Sequence, residues 1–137
     1  MLDAPAVALA GAQETPADRP IGPVGTALTV DEALVGRRAV LSVAGEVDIC
    51  TAARLREAIE SAATRAFEIW VDLTATTFMD SSGVHALAGE HERLANATRH
   101  LVVICPDGPV RRVLALTGFD QVLEMHHSRR AAQRATS

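Results

Sequence analysis

Residues 67–87 read FEIWVDLTATTFMDSSGVHAL, and the fold turns on how this stretch divides. Phe67 to Ala75 is rich in β formers and too short for a buried helix, so it is predicted to be a buried strand. Beyond Gly83 a helical pattern begins, running through Val84, Leu87, Ala88, His91 and Leu94. Asp80, Ser81, Ser82 and Gly83 form the turn between them. A strand that hands over to a helix in this way is a unit of an α/β fold.

Working toward the N-terminus, the same alternation holds. DICTAARLREAIESAATRA, residues 48–66, carries Ala52, Leu55, Ile59 and Ala62 or Ala63 at helical spacing, with Arg54, Arg56, Glu57 and Glu60 facing water. Asp48 and Thr51 stand just ahead of this helix, and either fits its cap. Before it, ALTVDEAL and RRAVLSVAGEV are two β-like runs parted by Gly36 and the arginines, which predicts a hairpin.

Toward the C-terminus, HLVVIC is another apolar strand. PDGPVRRVLALTGF reads as a turn and a short helix with Pro109 in its first turn and Gly118 near its end. QVLEM is a last edge strand. The order is β-β-α-β-α-β-α-β, which predicts a single α/β domain with a mixed sheet of four to five strands and helices mainly on one face. Residues 1–25, with four of the six prolines (Pro5, Pro16, Pro20 and Pro23), are expected to be a flexible tail. Residues 26–127 form the domain, and residues 128–137 a polar tail or short helix.

Composition narrows the function. The chain has 137 residues, a formal net charge of −4 and scarce aromatics, so neither a general basic field nor a base-stacking platform points to nucleic acid. No apolar run approaches the ~20 residues that span a bilayer, and the acid at Asp3 argues against a secretory leader. A cytoplasmic location with no membrane partner is expected, with Cys50 and Cys105 as reduced thiols, a redox pair between them staying open. No spaced ligand set suggests a metal or cofactor: His126 and His127 have no companion at a useful interval.

Three readings of the paired serines remain. One of Asp80, Ser81 and Ser82 caps the helix, which accounts for one polar residue rather than three. A nucleophile is weakly supported, because the glycines of a strained Ser elbow are missing and His85, four residues after Ser81, has no orienting acid. The third is phosphorylation, since a helix N-terminus tolerates an anion and Gly83 clears space beside the site. A phosphoserine there adds roughly −1.5 to −2 charge to the surrounding surface. An anion or nucleotide site at the same helix mouth lacks any phosphate-binding glycine loop or lysine.

FMDSSGVHAL resembles the phosphorylation motif of the anti-sigma factor antagonists, small bacterial STAS-domain proteins. LSVAGEVDICTAARL is similar to the family's strand, G-E-L-D turn and T-A helix, and LVVICPDGPVRRVLALTGFDQVLEM to its closing segment. Together these cover roughly residues 27–126 in the family's order. The resemblance implies a non-enzymatic protein that binds an anti-sigma factor with serine kinase activity and so frees a sigma factor. It implies that the kinase phosphorylates Ser81, which ends the interaction, and that a PP2C-type phosphatase restores it. Asp48, Asp80, Ser81, Ser82, Gly83 and Val84 would then form the partner surface, on a monomer or weak dimer. A scaffold that assembles with other STAS modules without phosphorylation is the alternative. Departures from the family pattern are Val84 and His85 after the glycine, Ile49 and Cys50 after Asp48, and Glu90 and Glu92, which make the contact helix more acidic.

Overall fold

The computed structural model describes residues 28–136; the expected N-terminal tail lies outside them. Strands β1 (Thr29–Val35) and β2 (Arg38–Val47) form the hairpin, paired from Thr29↔Ala44 to Val35↔Arg38. Gly36 opens its two-residue loop at φ +63°, the conformation a tight hairpin requires and a side chain resists. Helix α1 (Ala52–Ala63) follows, then β3 (Glu68–Asp72), β4 (Thr76–Met79), α2 (Ser81–Asn96), β5 (His100–Ile104), α3 (Pro109–Leu116), β6 (Glu124–His126) and α4 (Arg129–Thr136). The sheet runs β1-β2-β3-β5-β6, parallel except at β1, with β4 also beside β2.

The central strands bury both faces, as parallel strands covered by helices do. Leu41, Val43, Ile69, Val71, Leu101 and Val103 point into the main core with Leu55, Ile59, Leu87 and Leu114 of the helices. Their neighbours Val40, Trp70, Val102 and Ile104 point the other way, where Ala132 of α4 packs against them. Three helices thus share one face and α4 takes the opposite one. It is tied down by Arg129, whose Nε donates to Asp72 Oδ2 at 2.6 Å and whose Nη2 donates to Ser42 Oγ at 2.8 Å.

The sheet has six strands where four to five were expected, because FEIWVDLTATTFM is two strands. Asp72 ends the first: its Oδ1 accepts from Thr74 N at 2.9 Å and Thr74 Oγ1 at 2.5 Å, a side-chain turn that bends the chain out of the ladder. Pairing resumes at Thr76. By then β2 has left β3, after Ser42↔Asp72, and it continues beside β4 as Gly45↔Thr76, Glu46↔Phe78 and Val47↔Met79, with an irregularity in that ladder between Gly45 and Glu46. Thr76 Oγ1 donates to Val43 O at 2.9 Å and closes the junction.

Candidate functional site

Two loops meet where β2 and β4 end side by side. The Asp80 N–H donates to Val47 O at 3.1 Å, so Asp48 and Ser81 each stand one residue beyond the same hydrogen bond. Asp48, Asp80, Ser81 and Ser82 are brought together at one end of the sheet.

The first loop is closed on itself. Asp48 Oδ1 accepts from Cys50 N at 2.9 Å and Thr51 N at 3.1 Å. Thr51 Oγ1 accepts from Asp48 N at 2.9 Å and donates to Glu46 O at 2.8 Å. Thr51 is buried and its hydroxyl fully used, while Ile49 at the tip is 80% exposed and Cys50 is exposed. The turn's two N–H bonds to Asp48 turn residues 49 and 50 outward.

In the second loop Asp80 is the cap. Its extended backbone (φ −107°, ψ −170°) precedes the helix, and its Oδ1 accepts from Ser82 N at 2.8 Å. Its carbonyl accepts from Gly83 N at 3.1 Å and Val84 N at 3.2 Å. With those donors taken, the helix mouth does not offer the row of free N–H groups that the anion reading assumed. Neither serine hydroxyl bonds to any described residue. Ser81 is exposed and Ser82 half-buried. One of three polar residues is thus spent on the helix, and two hydroxyls are left over.

Gly83 and Val84 do not present surface. Val84 is 1% exposed, and Gly83 is buried. A Cβ on Gly83 would lie 2.6 Å from Met79 Cγ and 2.8 Å from Val47 Cγ1, so the missing side chain makes room for the ends of β4 and β2 rather than for a partner. Both residues support the serines from beneath.

The helix beyond the serines is less acidic at its surface than the sequence suggests. Glu90 is 2% exposed and faces α1, where Arg93 pairs with both Glu90 Oε1 (3.4 Å) and Glu60 Oε2 (3.2 Å). Burial, and then the neighbouring Glu60, push the Glu90 carboxyl from its ordinary 4.5 up to about 7. The helix therefore shows water Glu92, His85 and Gly89. His85, one turn after Ser81, makes no bond to it, so no nucleophile–base pair forms. Cys105 is buried and its thiol is pushed up to about 11, chiefly by burial. Both cysteines are free.

Two apolar side chains escaped the sequence reading: Ile49 (80% exposed) and Phe78 (46% exposed). Ile49 was visible as an apolar residue inside a polar turn, where nothing could cover it. Phe78 was not, because strand β4 itself was not. Among the described residues no cluster of His, Cys, Asp and Glu could hold a metal, and no helix is long and apolar enough to cross a membrane.

This arrangement has relatives. The family model of the STAS domain matches residues 29–132. The anti-sigma-F factor antagonist RsfB of Mycobacterium tuberculosis is 35% identical over 88 residues, 64% of this chain and 71% of that protein. The anti-sigma-B factor antagonist of Listeria monocytogenes is 30% identical over 84 residues, 61% of this chain and 74% of its own. Among solved structures, an anti-sigma factor antagonist from Mycobacterium paratuberculosis superposes with a TM-score of 0.73 at 30% identity, covering 80% of this chain and 94% of that one.

Proposed function

The chain belongs to the STAS-domain family, and from that premise we propose that it is an anti-sigma factor antagonist. It binds an anti-sigma factor that is itself a serine kinase, and the sigma factor held by that kinase is released. Ser81 is the phosphoacceptor. Its partner surface comprises Asp48, Asp80, Ser81 and Ser82, with Gly83 and Val84 as the buried floor. A PP2C-type phosphatase returns the protein to its binding form.

One observation supports this reading above the others: an exposed Ser81 whose hydroxyl bonds to nothing described, on a helix already capped by Asp80. A phosphate can be added there without removing a structural bond. The added −1.5 to −2 charge then lies beside the carboxylates of Asp80 and Asp48, in a contact that must shed water to form. A loss of about 3 kcal/mol lowers affinity roughly a hundredfold, enough to release the partner.

Site-resolved mass spectrometry of the protein purified from its own host tests the modification. Phosphate is expected on Ser81, and none at that position in Ser81→Ala. For binding, Ser81→Ala should hold the anti-sigma factor constitutively, and Ser81→Glu should bind it about a hundredfold more weakly. Equal binding by both variants would end the switch.

A further inference from the structure

The opposite end of the sheet carries a second arrangement that the serine switch does not use. Phe67, just before β3, is 46% exposed, and two guanidinium groups lie over its ring: Arg37 at 4.0 Å and Arg99 at 4.7 Å from the centroid. The three residues come from the starts of β2, β3 and β5, and the backbone fixes them relative to one another. Phe67 N donates to Arg37 O at 2.9 Å, and His100 N to Phe67 O at 3.0 Å.

The charges at this end do not balance. Glu68 is taken by Arg38 at 2.8 Å, and Glu32 by Arg65. Glu124 is taken by His100 and His126. Neither the Arg37 nor the Arg99 guanidinium has a carboxylate or any hydrogen-bond acceptor among the described residues. Two uncompensated cations are therefore held on one ring, in a chain whose formal net charge is −4. Each cation–π contact is worth only about 0.5–1 kcal/mol at an exposed site. A guanidinium over a ring makes no hydrogen bond to it, so the N–H groups that fork onto a carboxylate stay available to a ligand. Their side chains are already ordered by the ring, so a ligand need not immobilise them again.

Exposed apolar surface adjoins the cations. Leu34, near the end of β1, is 51% exposed and pairs with Ala39, so it lies on the main-core face of the sheet, near Arg37 in the hairpin loop. Carboxylate-seeking donors next to aliphatic surface fit a peptide that mixes acidic and apolar residues. A nucleic acid would want a broader basic field and more aromatic stacking than a single phenyl offers. We propose that Leu34, Arg37, Phe67 and Arg99 form a docking surface for an acidic, leucine-bearing segment of a second protein. Because β2 spans about 30 Å between this end and the serines, at ~3.3 Å per residue, the surface is occupied whatever the state of Ser81. The molecule then has one end gated by phosphate and one end that is not.

The test is titration of the isotope-labelled full chain with an acetylated, amidated dodecapeptide of Asp, Glu and Leu, followed by amide NMR shifts. Oligothymidylate of twelve residues and a Lys/Leu peptide of equal length serve as comparison ligands. Shifts are expected at residues 34–38, 67–68 and 99–100, weakening as salt is raised. Arg37→Ala with Arg99→Ala should lower affinity about tenfold, the loss of one good charge-assisted contact. Ser81→Glu should change it less than twofold, whereas the same variant releases the anti-sigma factor; the two readings therefore fail separately. Shifts that are absent, or spread equally to the unpaired Arg54, Arg56 and Arg112, overturn the proposal. So does a larger response to oligothymidylate or to the Lys/Leu peptide.

Discussion

The turns that lead into α1 and α2 begin with the same device and end differently. In each an aspartate carboxylate accepts the N–H two residues on, Cys50 for Asp48 and Ser82 for Asp80. In each a hydroxyl residue follows. At the first turn the hydroxyl of Thr51 is buried, accepts from Asp48 N and donates to Glu46 O. At the second the hydroxyls of Ser81 and Ser82 have no partner among the described residues. One turn has spent its hydroxyl on the fold; the other, with its helix capped by Asp80, has kept two in hand. A hydroxyl at a helix start therefore becomes available for chemistry only when something else does the capping.

The largest effect should come from forcing apart the elements that hold the two turns together. Gly83→Val places atoms where Met79 and Val47 already stand, and should cost about 3 kcal/mol in urea unfolding. Adding Met79→Ala should recover part of that loss, because the two positions share the same space. Buried Trp70, the only tryptophan, supplies the fluorescence signal.

Next in size is the contrast itself. Thr51→Val keeps the shape but removes both hydroxyl bonds, and should cost roughly 1–3 kcal/mol. Ser81→Ala and Ser82→Ala should each stay within about 0.5 kcal/mol of the parent. Equal losses at Thr51 and Ser81 would break the distinction.

A third prediction asks whether the helices that follow the two turns behave as one unit. Glu90 joins α2 to α1 through Glu60 and Arg93, and its carboxyl sits at about 7 rather than its ordinary 4.5. The folded protein thus holds a proton that the unfolded chain releases near pH 4.5. This contribution is complete below about pH 4.5 and is lost as the pH rises to about 7. Glu90→Gln keeps a donor for Glu60 at every pH. The gap in Tm between variant and parent should therefore grow in the variant's favour from pH 4.5 to 7 and level off above. A constant gap would show that the helix seam does not titrate.

The smallest effect lies at the far end of α2. Thr98 has φ +58°, unusual for a β-branched residue, while its N–H donates to Ala95 O at 3.1 Å and the Arg99 N–H to Leu94 O at 2.7 Å. That is the bonding of a helix terminus usually closed by glycine. Thr98→Gly should stabilise the protein by about 0.5–1 kcal/mol, since the relief of a left-handed backbone (~1–2 kcal/mol) exceeds the added freedom of the unfolded chain. It should leave the Asp80 turn unchanged by amide NMR.

What could be read in advance follows from how far each residue's partners lie along the chain. The β-forming runs RRAVLSVAGEV and FEIWVDLTA, and the spacing of Ala52, Leu55 and Ile59, are local patterns, and they gave strand and helix correctly. The fold and its family were legible for that reason. Strand β4 was not, because the break before it depends on Asp72 bonding Thr74 and Arg129, the latter 57 positions away. Gly83 was misread as open space for a partner because its real neighbour, Val47, arrives from another strand. Glu90 looked like surface because Glu60, which faces it, belongs to a different helix. At the site, the identity of Asp80 and the serines was visible in sequence; which of them would carry the cap was not.

The change of partner along β2 has one more consequence. Ser81 owes its place to main-chain bonds: Val47 beside Met79 in the ladder, and the Asp80 N–H on the Val47 carbonyl. No exposed side chain takes part in setting that position. Ile49, Phe78 and His85 can therefore be exchanged by drift or by a protein engineer, rewriting whom the surface greets, while the serine stays where it is. Such a molecule separates address from message: duplicated copies can acquire new correspondents while the proposed phosphoacceptor is kept.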